Sequence, residues 1–181
     1  SLEQLHLFEN YSMESLPDII CNLSNLKILS LSGNPITNLP ESIGNLTSLE
    51  QFHFSNGEWS CGYCGLIDLP ESFGNLINLQ ILNLGGHNQL TDLPETIGNL
   101  SNLKILNLYG NLLTNLPESI GNLTSLEELN LSGNNLTSLP ESICNLLSNC
   151  IINLNNNNLC EQYHYNCISF GDIWGTQDCD D

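Results

Sequence analysis

Lysine and arginine together number 2 in a chain of 181 residues, against 20 aspartates and glutamates. So little positive charge leaves no basic patch for phosphate groups, which excludes nucleic acid and anionic membrane surfaces as partners. No apolar run approaches the roughly 20 residues that a membrane-spanning helix needs, so no membrane span is expected. The single methionine is not the first residue and no signal peptide is recognisable, so the chain is expected to be processed or part of a longer protein. There is no glycine-rich phosphate loop, nucleophile elbow, metalloprotease helix or calcium-loop pattern. The histidines, His6, His53, His87 and His164, are scattered along the chain. Neither enzymatic activity nor a cofactor or resident metal is expected.

The chain is rich in copies of one unit. Leu103–Ser125 reads LKILNLYGNLLTNLPESIGNLTS, and Leu26–Ser48 and Leu126–Ser148 are versions of the same 23 residues. A fixed period of this length marks a solenoid. Leu106 and Leu108 alternate with polar residues, the period of a strand with one buried face. Asn111 then turns the chain, and its amide can satisfy backbone groups that would otherwise be buried unpaired. Leu113, Leu116, Ile120 and Leu123 return to the same core, and Pro117 discourages a second strand. One unit cannot bury these side chains alone, but stacked units can.

The units run Leu2–Asn25, Leu26–Ser48, Leu49–Asn78 and Leu79–Asn102, with further starts at Leu103 and Leu126 and a degenerate seventh at Asn149. In the seventh, Ile152, Leu154, Asn157 and Leu159 keep register. The third unit is seven residues longer than the standard one, which places an insertion at about residues 57–65. Residues 1–159 are therefore read as repeats and 160–181 as a Cys-rich C-terminal cap.

The pattern L-x-x-L-x-L-x-x-N-x-L resembles that of leucine-rich-repeat proteins. Its L-P-x-x-I-G-N-L tail is similar to the 23-residue subclass of Ras-group and LxxLP-type members, here in an extracellular version. The resemblance implies an α/β fold: a curved, right-handed solenoid with a parallel β-sheet on the concave face and an irregular or short helical convex side. It also implies a non-enzymatic protein-interaction scaffold. The signalling roles of intracellular relatives are not carried over, because they would not be expected to share the cysteine and glycosylation-motif density found here.

There are 8 cysteines: 21, 61, 64, 144, 150, 160, 167 and 179. Their even number, and their clustering at the terminal segment, point to disulfides and an oxidising compartment. Cys61 and Cys64 share the inserted loop and are the expected local pair. Half a zinc site, completed by His53 and His87, is the alternative. Cys144, Cys150, Cys160, Cys167 and Cys179 are expected in disulfides of the cap region, although an odd number there leaves at least one to pair elsewhere or stay free. Cys21 and Cys144 occupy the position where other repeats carry Gly. They lie too far apart to bridge within a straight solenoid, so Cys21 is either a buried thiol or an intermolecular link.

Asn-x-Ser/Thr occurs at Asn10, Asn22, Asn45, Asn99, Asn122 and Asn135. Asn22, Asn45, Asn99 and Asn122 share one repeat position and would carry sugars in a row on the outside. Asn135 is expected to be exposed, and Asn10 to be buried in the asparagine ladder and bare. Asp18, Glu41, Glu71, Glu95, Glu118 and Glu141 each follow the repeat proline and form a file along one flank. They are read as a solvated rim, with a calcium edge or a docking strip for a basic partner as alternatives.

Ligand contacts are expected on the outward strand positions and the insertion: His6, Phe8, Ser30, His53, Trp59, Tyr63, Asn83, Asn107, Tyr109 and Asn130. This surface is neutral and amide-rich. Its amides could simply bond to one another, and as a ligand surface it would take a protein or a glycan. The chain is therefore expected to be secreted or displayed at the cell surface as a recognition or adhesion module. The alternative is a structural subunit of an extracellular filament, coat or cell-wall layer that self-associates through the N-terminal repeat, where Leu2, Leu5 and Leu7 begin the pattern without a cap.

Overall fold

The computed structural model describes residues 2–55, 65–86, 89–146, 150–160 and 177. Each repeat contributes one short strand: β1 (Gln4–His6), β2 (Ile28–Ser30), β3 (Gln51–His53), β4 (Ile81–Asn83), β5 (Ile105–Asn107), β6 (Glu128–Asn130) and β7 (Ile151–Asn153). They form one parallel sheet of 7 strands in sequence order. Register is strict, with His6, Ser30, His53, Asn83, Asn107, Asn130 and Asn153 standing in one row across it.

On the opposite side, six of the repeats turn through 3-10 segments: Asp18–Asn22, Glu41–Asn45, Glu71–Asn75, Glu95–Asn99, Glu118–Asn122 and Glu141–Asn145. A proline precedes each, in extended conformation. Proline costs nothing there, because the first N–H groups of a helical turn have no partner within it. The leucines and isoleucines between strand and turn form one continuous core, to which Phe52, Phe54 and Phe73 add bulk. The Phe52 and Phe73 rings meet edge to face, 5.5 Å between centroids.

The asparagine ladder binds the coils together. Asn134 Nδ2 donates to the Leu108 and Leu131 carbonyls, both at 2.9 Å, and its Oδ1 accepts the Leu113 N–H. Asn34, Asn111 and Asn157 make the same pair of donations in their own repeats. Just before the ladder the backbone adopts positive φ, at Gly33, Gly110 and Gly133 but also at Glu9 and Asn156. Glycine takes that conformation freely, and the other two bear its strain.

Asn10 departs from expectation. It is exposed, and its own N–H donates to Asn34 Oδ1 at 3.0 Å. The core is also thin at this end, where Leu2 is exposed and Leu5 and Leu7 are half-buried. No helix is long and apolar enough to cross a membrane, among the described residues.

Candidate functional site

The outward rows of the sheet form the surface to which the sequence pointed. The row from His6 to Asn153 lies beside a second row: Phe8, Ser32, Ser55, Gly85, Tyr109, Ser132 and Asn155. Neither of these rows contains a carboxylate, although the chain carries a formal charge of -18; Glu128 stands in the adjoining outward row that runs from Gln4 to Ile151. The two cations stand apart, on the edge where strands begin. Lys27 pairs with Glu3 at 3.3 Å and Lys104 with Glu127 at 3.6 Å.

The two halves of this surface differ in chemistry. In the first three repeats it is imidazole and hydroxyl. His6 and Phe8 stack with 5.4 Å between centroids, and both are exposed. His6 Nδ1 lies 3.2 Å from Ser30 Oγ, and the Ser32 and Ser55 hydroxyls are 3.2 Å apart. Ser30, expected as a ligand contact, is buried and serves His6 instead. His53 is half-buried, with Nε2 3.3 Å from Gln51 Oε1. Burial holds its pKa below the ordinary value, and His6 on the same face adds to the effect.

From the fourth repeat onward the surface is carboxamide. Asn83, Asn107, Asn130 and Asn153 each accept, at 3.1 Å, the backbone N–H two residues ahead: Gly85, Tyr109, Ser132 and Asn155. Tyr109 projects between them and is exposed. Its ring lies against the backbone of the next repeat, where a Cβ on Gly133 would come within 3.3 Å of Cε2. Trp59 and Tyr63 lie outside the described residues.

The outer flank has a role that sequence reasoning did not assign. Carboxylates of Glu41, Glu95 and Glu118 accept the backbone N–H of Ser72, Ser119 and Ser142 in the following repeat, at 3.3–3.4 Å. Asp18 accepts the Ser42 hydroxyl. Glu41, Glu95 and Glu118 therefore cap the first turn of the following repeat, where unpaired N–H groups favour negative charge. Among the described residues, no three His, Cys, Asp or Glu side chains converge as a metal site.

Asn22, Asn45, Asn99, Asn122 and Asn135 are all exposed. Cys144 and Cys160 are disulfide-bonded. Cys150 is a free thiol, not the expected disulfide partner: it is half-buried and its Sγ points toward the Ile151 carbonyl, 3.8 Å away. Cys21 is a fully buried free thiol. Cys61, Cys64, Cys167 and Cys179 lie outside the described residues, as does His87, so the zinc alternative falls there too.

Comparison with known families matches residues 60–130 to the leucine-rich repeat region, and residues 25–46 and 125–146 to the leucine rich repeat. The repeats are leucine-rich repeats. A leucine-rich-repeat protein of Leptospira interrogans is 36% identical with a TM-score of 0.77, over 87% of this chain and 38% of that one. The leucine-rich-repeat ectodomain of the Arabidopsis thaliana receptor kinase GASSHO1/SCHENGEN3, solved with CASPARIAN STRIP INTEGRITY FACTOR 2, is 32% identical with a TM-score of 0.72. That match covers 97% of this chain and 21% of the ectodomain. The Arabidopsis HAESA ectodomain, solved with an extended IDA peptide hormone, is 35% identical with a TM-score of 0.66, over 80% of this chain and 24% of that one. The chain thus spans well under half the length of these leucine-rich-repeat proteins. No curated protein matches it at a significant level.

Proposed function

We propose that the chain is a non-enzymatic recognition module of a secreted or cell-surface glycoprotein, taking a protein or peptide ligand on its sheet face. The observation that carries the reading is the sheet itself. Seven strands hold two outward rows in strict register, free of carboxylates and open to solvent at His6, Phe8 and Tyr109. Rigid presentation keeps the ordering cost of binding low. Two similar ectodomains were solved in complex with a ligand, one with CASPARIAN STRIP INTEGRITY FACTOR 2 and one with a peptide hormone, which supports the assignment. The exposed row of Asn22, Asn45, Asn99 and Asn122 supports N-glycosylation on the outer side, away from the ligand face.

Selection of a random peptide library against the immobilised chain tests this reading. Peptides that enrich and then lose binding to Asn130→Arg support it; failure to enrich, or binding indifferent to that change, overturns it. Intact mass of the chain secreted from eukaryotic cells, before and after glycosidase, tests the glycan row. Loss of several glycan masses is expected, and an unchanged mass overturns it.

A further inference from the structure

The carboxamides of the later repeats are oriented, and the orientation restricts what can lie on them. Asn83 Oδ1 accepts twice, from the Gly85 N–H and from Asn107 Nδ2, both at 3.1 Å. Asn130 Oδ1 also accepts twice, from the Ser132 N–H at 3.1 Å and the Ser132 hydroxyl at 2.7 Å. With both oxygens committed, neither amide can flip without breaking two bonds. Their Nδ2 groups have no partner among the described residues. Gly85 leaves room for it, since a Cβ there would sit 2.9 Å from Asn107 Nδ2.

The result is a rail with a donor at each end, Asn83 and Asn130, whose own oxygens are committed, while Asn107 between them gives its Nδ2 to Asn83 and keeps one lone pair on Oδ1. A strand-like peptide laid along it would bring its own N–H groups against donors, and unpaired buried donors are costly. A chain whose backbone offers carbonyls alone fits better. Polyproline II is such a chain: its carbonyls are free and proline has no N–H.

The spacing agrees. Asn83 and Asn130 stand two strands apart in one row. Neighbouring strands are about 4.7–4.9 Å apart, so the two donors are separated by roughly 9.5 Å. Polyproline II has three residues per turn at about 3.1 Å each, which returns a carbonyl to the same side every ~9.3 Å. Tyr109, on the intervening strand, offers an exposed ring where a proline would lie. Aromatic-lined surfaces are a general way to dock such helices. Charge excludes an acidic segment, because the molecule as a whole repels anions and Glu128 stands beside Asn130 in the adjoining outward row.

We infer that the Asn83–Tyr109–Asn130 patch binds an uncharged, proline-rich segment in polyproline II conformation, running across the strands. This rests on the recognition reading above and names its ligand class.

The test is a titration of the 15N-labelled chain with acetylated, amidated decaproline, following side-chain amide resonances. Saturable shifts of Asn83 and Asn130 are expected. Asn83→Asp and Asn130→Asp each keep the Oδ1 acceptor that serves the fold but remove the outward donor. Each should weaken binding by about tenfold. Glu141→Gln, on the outer flank, should leave affinity unchanged. Absence of saturable shifts, or affinity indifferent to both Asp variants, overturns the inference. Shifts of these amides with chitohexaose but not decaproline also overturn it, in favour of a glycan. If library peptides bind in an Asn130-dependent manner while decaproline does not, this inference falls and the recognition reading stands.

Discussion

Gln177 holds Leu159 as an asparagine of the ladder would. Its Oε1 accepts the Leu159 N–H at 3.1 Å and its Nε2 donates to the Leu154 carbonyl at 2.9 Å. One repeat earlier, Asn157 accepts the Leu136 N–H at 3.0 Å and donates to the Leu131 carbonyl at 3.0 Å. A parallel bridge between Asn157 and Gln177 fixes the relation. The glutamine thus supplies the next rung where no further repeat does. Gln177→Ala should leave the Leu159 N–H unpaired, while the Leu154 carbonyl keeps its bond from Asn157, at a cost of about 1 kcal/mol. Urea denaturation would show the loss, and amide exchange should place it at Leu159 before the earlier repeats.

Close approach of neighbouring turns predicts a larger effect at Gly121. A Cβ there would sit 2.4 Å from the Ser142 carbonyl oxygen and 2.5 Å from its Cβ, with equivalent crowding at Gly44, Gly74 and Gly98. Gly121→Ala must push two coils apart and should cost about 1–3 kcal/mol in denaturant unfolding. Cys21 occupies the same position but belongs to the first turn, which packs more loosely on the second. Cys21→Ala is therefore expected to change stability less than Gly121→Ala, and the two measured side by side check the account.

These residues show where the sequence was readable. The strands, the core and the ladder followed from the period, because each leucine position has the same neighbours in every repeat and register leaves no freedom. Exceptions arose where a local bond competes. Ser30 is covered where it bonds His6 in the same row. Gln177 carries no repeat signal at all, since its role depends on being brought to the ladder from outside the pattern. The orientation of the strand amides was equally invisible: it comes from bonds to the backbone two residues ahead, and composition records only that the row is rich in Asn. The capping of three turns by the preceding repeat's acid is a contact between coils, and the file of acids in the sequence named the residues without their partners.

His53 makes stability sensitive to mild acid. Its folded pKa lies below the ordinary value of 6.5, chiefly from burial. The unfolded chain therefore takes up the proton first, and the contribution of His53 is complete above about pH 6.5 and lost as pH falls below it. Wild type should lose more stability between pH 7.5 and 5.5 than His53→Gln, which cannot titrate. The comparison between the two isolates this group from every other titration. Melting curves that shift in parallel for both chains would contradict the assignment.

Cys150 gives the opposite sign at high pH. Burial, assisted by Glu128, pushes its thiol from 9.0 up to about 11. At pH 8 that is about 100-fold less thiolate than in the unfolded chain, and the thiolate is the nucleophile. Alkylation of the folded protein with iodoacetamide should be slow at Cys150. It should be slower still at Cys21, which is fully buried and whose thiol is also raised by burial, with Ser42 opposing. Both should react quickly in urea, as peptide mass mapping would show. Glu128→Gln removes the nearby charge and should speed the Cys150 reaction in the folded chain without altering Cys21. The linked stability term is present below pH 9 and is lost as pH rises toward 11, because the unfolded chain gives up the proton first. Rapid labelling of Cys150 in the native protein, at the rate seen in urea, would mean the thiol is neither buried nor protected.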